Sequence, residues 1–339
     1  MRSLLKPVAG LVCLVALACA GCSSSGGGGS SDSGADGSSQ AAASPQQLST
    51  GFQPYVSAIT ASGLDDDGSP STYNLAFVLS SGSGCTPKWN GDYAIGNQAV
   101  RSRISALKDS GASVRVSFGG ATGTELAPTC DSVADLAKAY GAALDAAGST
   151  QADFDIEGTA LTDTASIDLR SKSIALLQKQ RPKLKVSFTL PAMPTGLTDD
   201  AVAVLDSAND NGVMVSTVNI MAMTYGTSYT GDMGDYALAA AKAAHDQLTD
   251  VFGLTAAGAW RGLAVTVMIG DNDVEGETFT LADAAKVRTL GTGKDLAWVS
   301  MWATFRDQQC DSGSSSGAAT SECSGVSQQD GAFAKALAG

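Results

Sequence analysis

The sequence predicts an α/β fold, a (β/α)8 TIM barrel forming a single domain over residues 51–339, and three observations carry that expectation. Apolar, β-rich runs alternate with helix-patterned segments along the whole stretch. Runs such as Tyr73–Ser80 are nearly continuous in apolar residues, as expected when helices cover a parallel sheet. No glycine-rich dinucleotide fingerprint follows the first strand, which disfavours the doubly wound open sheet.

Eight strands are expected, at Pro54–Thr60, Tyr73–Ser80, Ser113–Gly119, Ala152–Glu157, Lys185–Pro191, Ser216–Tyr225, Gly262–Ile269 and Ala297–Thr304. Between them the pattern predicts helices over Asn97–Ser110, Ser132–Ala147, Ser166–Lys179, Asp199–Asp210, Gly234–Phe252 and Leu281–Leu290, with a short closing helix near Asp330–Leu337. Strand–helix alternation at this length fits one barrel, whose chemistry belongs at the C-terminal ends of the strands.

The first fifty residues stand apart. A basic start and an apolar stretch from Val8 to Ala20, shorter than a membrane span, read as a signal peptide over residues 1–21. It ends in Leu17-Ala18-Cys19-Ala20-Gly21-Cys22, which resembles a bacterial lipoprotein cleavage box with Cys22 lipidated; an ordinary signal peptide with incidental cysteines is the alternative. Residues 22–50 are mostly Gly, Ser, Ala and Asp, with almost nothing apolar to bury, and read as a flexible tether. The expected location is therefore extracellular, secreted or on the cell surface as a lipoprotein, with membrane contact only through the lipid anchor.

A formal charge of −13 leaves no electrostatic footprint for nucleic acid. His245 is the only histidine, in an Ala-rich helical stretch where a surface position is expected. Ser-His-Asp, Cys-His and His-based zinc chemistry thus lack their residues, no metal is expected, and any reaction falls to carboxylates, tyrosines or a cofactor, of which none is recognised in the sequence. A monomer is expected.

Of seven cysteines, Cys85, Cys130, Cys310 and Cys323 lie in the domain, without metal-type spacing, and read as two disulfides. Cys85 follows the second strand and Cys130 the third, in adjacent loops of the C-terminal face. Cys310 and Cys323 bracket a loop after the eighth. The pairing expected is Cys85–Cys130 and Cys310–Cys323, the second worth on the order of 3 kcal/mol in the chain-entropy model.

The stretch Ala152-Asp153-Phe154-Asp155-Ile156-Glu157 is the most informative. Strand alternation puts Asp153, Asp155 and Glu157 on one face and Phe154 and Ile156 on the other, successive acids about 6–7 Å apart. A solvated edge strand would not carry those apolar alternates, and magnesium-type sites usually draw acids from several strands. Three acids inside a barrel are costly as charges, and crowding favours a protonated member near neutral pH. Glu157, nearest the mouth, is best placed to present that proton.

Asp153-Phe-Asp-Ile-Glu157 resembles the end of the DGxDxDxE signature of glycoside hydrolase family 18. Ser117-Phe-Gly-Gly120 resembles that family's SxGG motif, Met221-Ala-Met-Thr-Tyr225 its sixth strand, and Trp302 falls where it has a tryptophan on the eighth. The four matches cover residues 52 to 310. The resemblance implies a retaining, substrate-assisted hydrolysis of β-1,4 bonds in chitin or chitin oligosaccharides, in which the substrate's acetamide oxygen is the nucleophile. It further implies Glu157 as general acid and base, Asp155 orienting the acetamido group, Asp153 tuning Asp155, and Tyr225 bonding the acetamide carbonyl. Trp302 would floor the sugar, with Met223 and Gly119 beside it. Thr150 and Gln151 stand where the signature begins with Asp-Gly, and Thr224 and Gly226 flank Tyr225 where an acid is usual, which puts efficiency and specificity in question.

Trp89, in the polar loop after the second strand, either stacks sugars or anchors the loop beside Cys85. Trp260, before the seventh strand, is expected to be structural, and Asp271-Asn272-Asp273 either contact substrate or cap the next segment. The same signature also fits an endo-β-N-acetylglucosaminidase acting on glycoprotein N-acetylglucosamine glycans. A non-catalytic chitin-binding lectin is the third reading, although such relatives usually lack the terminal glutamate.

Overall fold

A computed structural model describes residues 50–82, 84–314 and 321–339, all of them in one compact unit. The expected signal peptide, Cys22 and all but the end of the tether lie outside the described residues.

The strands are β1 (Gly51–Phe52), β2 (Tyr55–Ser57), β3 (Thr72–Ser80), β4 (Pro87–Trp89), β5 (Tyr93–Ala94), β6 (Ser113–Gly119), β7 (Gln151–Asp155), β8 (Lys185–Met193), β9 (Gly196–Leu197), β10 (Val215–Met221), β11 (Leu263–Met268), β12 (Gly270–Asp271), β13 (Thr278–Phe279) and β14 (Trp298–Trp302). The helices are α1 (Gln98–Asp109), α2 (Val133–Ala147), α3 (Thr164–Gln180), α4 (Asp199–Asp210), α5 (Met233–Phe252), α6 (Ala256–Arg261), α7 (Leu281–Lys294) and α8 (Ala332–Ala338).

The parallel order β3-β6-β7-β8-β10-β11-β14 follows the chain, and the barrel closes through a divided first strand. β1 pairs with β14 and β2 with β3. Pro54 lies between them and has no N–H to donate, so the strand hands over from one neighbour to the other at that point. Its carbonyl still accepts from Asn74 N at 2.9 Å.

Alternation sorts the barrel as the acidic stretch suggested. Outward, Phe118, Phe154 and Phe188 stack in a row between sheet and helices, with Tyr140 edge-on to the first two. Inward, the barrel is polar: Arg115, Ser117, Asp153, Ser187, Thr189, Asn219 and Thr266 are all buried. Helix starts are fixed locally by side chains accepting backbone N–H groups, as Ser132 does for α2 and Thr280, in a capping box, for α7.

Both expected disulfides are present, Cys85–Cys130 and Cys310–Cys323. One reading is corrected, and for Trp89 the loop-anchor alternative holds instead of sugar stacking. His245 is buried rather than on the surface, stacked on Trp260 at 4.2 Å with Nε2 3.0 Å from Ala256 O, so both rings pin α5 to α6. Trp89 is fully buried under the β4–β5 hairpin, its Nε1 donating to Ile95 O, while its cross-strand partner Tyr93 takes the exposed position.

Candidate active site

The acids sit at the C-terminal end of β7, on three levels. Asp153 is lowest and its carboxylate accepts four hydrogen bonds. Tyr55 and Ser117 donate to Oδ2 at 3.0 and 2.7 Å, and Ser187 and Thr189 to Oδ1 at 2.7 and 2.9 Å. Four donors offset the desolvation of a buried carboxylate. Below it Arg115 lies over the Trp298 ring at 3.9 Å and donates to Asn74, Gln53 and Gln151. Burial lowers the Arg115 guanidinium to about 10, against the favourable pull of Asp153.

Asp155 occupies the next level, buried, with its carboxyl hydrogen-bonded to that of Glu157 and its Oδ1 without a partner. Burial pushes Asp155 well above the usual carboxylate range, and the charges of Glu157 and Asp153 push the same way. Burial also raises Glu157, with a smaller push from Asp273, while its hydrogen bond to Asp155 pulls it down. The two carboxyls thus form a coupled pair that holds one proton between them above the ordinary carboxylate range. Glu157 is raised, as the sequence suggested, and Asp155 is raised with it, so the proton is shared by the pair with Asp155 as the donor of their hydrogen bond.

Glu157 lies two residues beyond β7, which ends at Asp155, and opens the 3₁₀ turn Gly158–Leu161. It reaches a cavity of about 160 Å³ lined by Asp155, Tyr55, Phe77, Met223, Asp273 and Trp302, among others. Phe77 and Trp302 stack at 5.6 Å and 17°, and Tyr55 packs against both. Met193, Met221, Met223 and Met268, from β8 through β11, line the cavity as well. A larger cleft of about 410 Å³ lies at the other end of the barrel around Arg115 and Trp298. It holds none of the acids and faces the end that in such barrels serves stability.

The SxGG glycines are explained by close approach. Gly119 has φ +102°, and a Cβ there would stand 2.1 Å from Asp155 O; at Gly120, φ +98°, it would meet the Phe77 ring at 2.8 Å. Gly119 therefore seats the end of β7 and does not line the cavity, a correction to its expected place beside the substrate.

Tyr225 is a further correction. β10 ends at Met221 rather than at Tyr225, and Thr224 turns into the left-handed region at φ 52°. The Tyr225 ring packs against Tyr229 and Tyr236 at 5.7 and 5.9 Å, and its buried hydroxyl has no partner. Thr224 and Met223, not Tyr225, line the cavity. In the loop after β11 Asp273 lines the cavity, while Asn272 Nδ2 donates back to Met268 O and Gly270 O and does not cap the next segment. Sequence reasoning missed Tyr55, Phe77 and Glu277; for Tyr55 the signal was an aromatic in the inward register of the first strand. Among the described residues no group of three or more His, Cys, Asp or Glu could hold a metal ion.

No family model matches the chain. Over 249 residues, 69% of its length, it is 34% identical to a probable bifunctional chitinase/lysozyme of Escherichia coli (strain K12), covering 28% of that protein. Over 248 residues, again 69%, it is 34% identical to Endochitinase 11 of Metarhizium anisopliae, covering 47% of it. The chain thus spans less than half the length of either curated relative. Catalytic-site mutants of active domain 2 of a thermostable chitinase from Pyrococcus furiosus, solved with chito-oligosaccharides, share the fold. The TM-score is 0.75 at 26% identity, covering 85% of this chain and 93% of that one.

Proposed function

Starting from a chain that belongs with the chitinase-like proteins of glycoside hydrolase family 18, we propose that the protein hydrolyses β-1,4 bonds of chitin or chitin oligosaccharides with retention. The observation that carries the reading is the Asp155–Glu157 pair at the cavity, sharing a proton, with one Asp155 oxygen buried and unpartnered.

The steps follow from that arrangement. A sugar lies on the Phe77–Trp302 stack, whose flat faces cover pyranose C–H groups. Its acetamide N–H donates to Asp155, which aims the acetamide oxygen at the anomeric carbon. As that oxygen attacks, the proton shared by the pair passes from Asp155 to Glu157, which gives it to the departing glycosidic oxygen, leaving Asp155 as the carboxylate that accepts the acetamide N–H. Glu157, now a carboxylate, takes a proton from the water that attacks the same carbon and restores the acetamide. Asp153, held by its four donors, stays in place and raises the proton affinity of Asp155 above it. Tyr225 is given no step, since it is not among the residues that line the cavity.

Residues 1–21 are assigned as an export signal, Cys22 as a lipidated anchor and residues 22–50 as a tether, giving a protein at the cell surface or outside the cell.

The test is to incubate the soluble domain and its Glu157→Gln variant with chitin oligosaccharides and with an N-glycan, identifying products by mass. Cleavage of the chitin oligosaccharides is expected from the parent, with a loss of about 10²–10⁴-fold in the variant and oligosaccharide binding retained. Cleavage of the N-glycan alone would replace the reading by an endo-β-N-acetylglucosaminidase, and binding without cleavage by a lectin.

A further inference from the structure

We infer that Glu277, on the loop after β11, is the positioning residue that builds the β10 side of the cavity; the functional part of this inference rests on the activity proposed above. The need arises because β10 stops at Met221, so the next residues, which line the cavity as Met223 and Thr224, are not held by sheet pairing. Thr224 and Gly226 both take positive φ, 52° and 110°, around Tyr225. Such a run of backbone forms a concavity of N–H groups that binds anions. Here the anion is internal. Glu277 is 2% exposed and its Oε1 accepts from Gly226 N at 2.7 Å; burial raises its carboxyl above the ordinary range, while the N–H groups of Gly226, Tyr225 and Thr224 pull it back down, and Thr224 N also donates to Asn272 Oδ1 at 3.4 Å.

The base of the clamp is fixed. Asn272 N donates to Glu277 O and Glu277 N to Val274 O, which folds the loop on itself. Asp271 N donates to Ser324 O at 2.7 Å and Arg306 donates to Asp271 O at 2.8 Å, tying the loop to the C-terminal segment. A Cβ at Gly270 would stand 1.8 Å from Ser324 O, so that seam admits no larger residue. A buried carboxylate on a fixed base, with a backbone concavity as partner, thus decides where Met223 and Thr224 stand.

The test uses the whole barrel domain with Glu277→Ala and Glu277→Gln, read by KM and kcat on chitin oligosaccharides and by hydrogen exchange of the 222–229 segment. With Ala, exchange of the Thr224–Gly226 amides should accelerate by about ten-fold or more, the size of a lost charge-assisted hydrogen bond. KM should rise by about ten-fold with kcat changed less, because the lost wall binds substrate and transition state alike. Gln keeps an acceptor oxygen and should recover most of both effects. Unchanged exchange in the Ala variant would overturn the inference, and so would unchanged KM in an active enzyme. A parent chain inactive on chitin oligosaccharides would defeat the proposed function instead, and the exchange measurement would still decide the clamp.

Discussion

At the scale of the residue, neighbouring acids on one strand acquire different chemistry from their surroundings. Asp153 meets four hydroxyl donors, whereas Asp155 meets only another carboxyl, with one oxygen left over. Asp155 and Glu157 are both raised in the folded protein by burial, so protonation stabilises the fold. That contribution is fully present below the unfolded carboxylate range of about 4 and is lost as pH rises through the raised folded values. Thermal stability should therefore fall with rising pH across that window, and Asp155→Asn should flatten the slope. Calorimetric melting at a series of pH values checks this, and an Asp155→Asn slope equal to the parent's would contradict it. The acids' shared face was legible because strand alternation is strict. Which acid holds the proton was not, since that depends on donors brought from β2, β6 and β8. Trp89 and Tyr93 make the same point: the hairpin register decides which aromatic is buried, and nothing in the polar loop sequence reveals it.

At the scale of the element, barrel strands end where pairing ends, and the site begins just beyond. β7 ends at Asp155 and β10 at Met221, so Glu157, Met223 and Thr224 depend on loops for their position. β6 and α4 match their sequence expectations residue for residue, because Ser113–Gly119 and Asp199–Asp210 are bounded by clear breaks in pattern. Tyr225 was misplaced because an apolar run alone does not say where pairing stops. The loop after β6 is braced by Glu125, which accepts from Ala127 N, from Tyr140 OH at 2.7 Å on α2 and from Arg170 at 2.9 Å on α3. Arg170 and Glu125 are 1% and 4% exposed at their side chains. Removing the carboxylate leaves a buried guanidinium without its counter-charge. Glu125→Ala should cost about 3–5 kcal/mol in denaturant unfolding, against less than 1 for an exposed pair such as Lys172–Asp168. Equal losses from the two would contradict the brace.

At the scale of the molecule, the barrel sets two kinds of surface around the acids. Rings from β2, β3 and β14 lie on one side, with Tyr55, Phe77 and Trp302, and methionines from β8, β10 and β11 on the other. The fold class and both disulfides were legible, since they follow from periodicity and loop adjacency alone. The divided first strand and the polar interior were not, because each arises only when distant strands meet. The central claim is that the nucleophile belongs to the substrate and that Asp155 and Glu157 serve it. The measurement that bears on it most directly compares cleavage of a chitin oligosaccharide and a β-1,4-glucan oligosaccharide of equal length, with the anomer of the first product read by NMR. Cleavage of the N-acetylated chain alone is expected, with a β-anomer released first. Glucan cleavage at a similar rate, or an α-anomer released first, would contradict it.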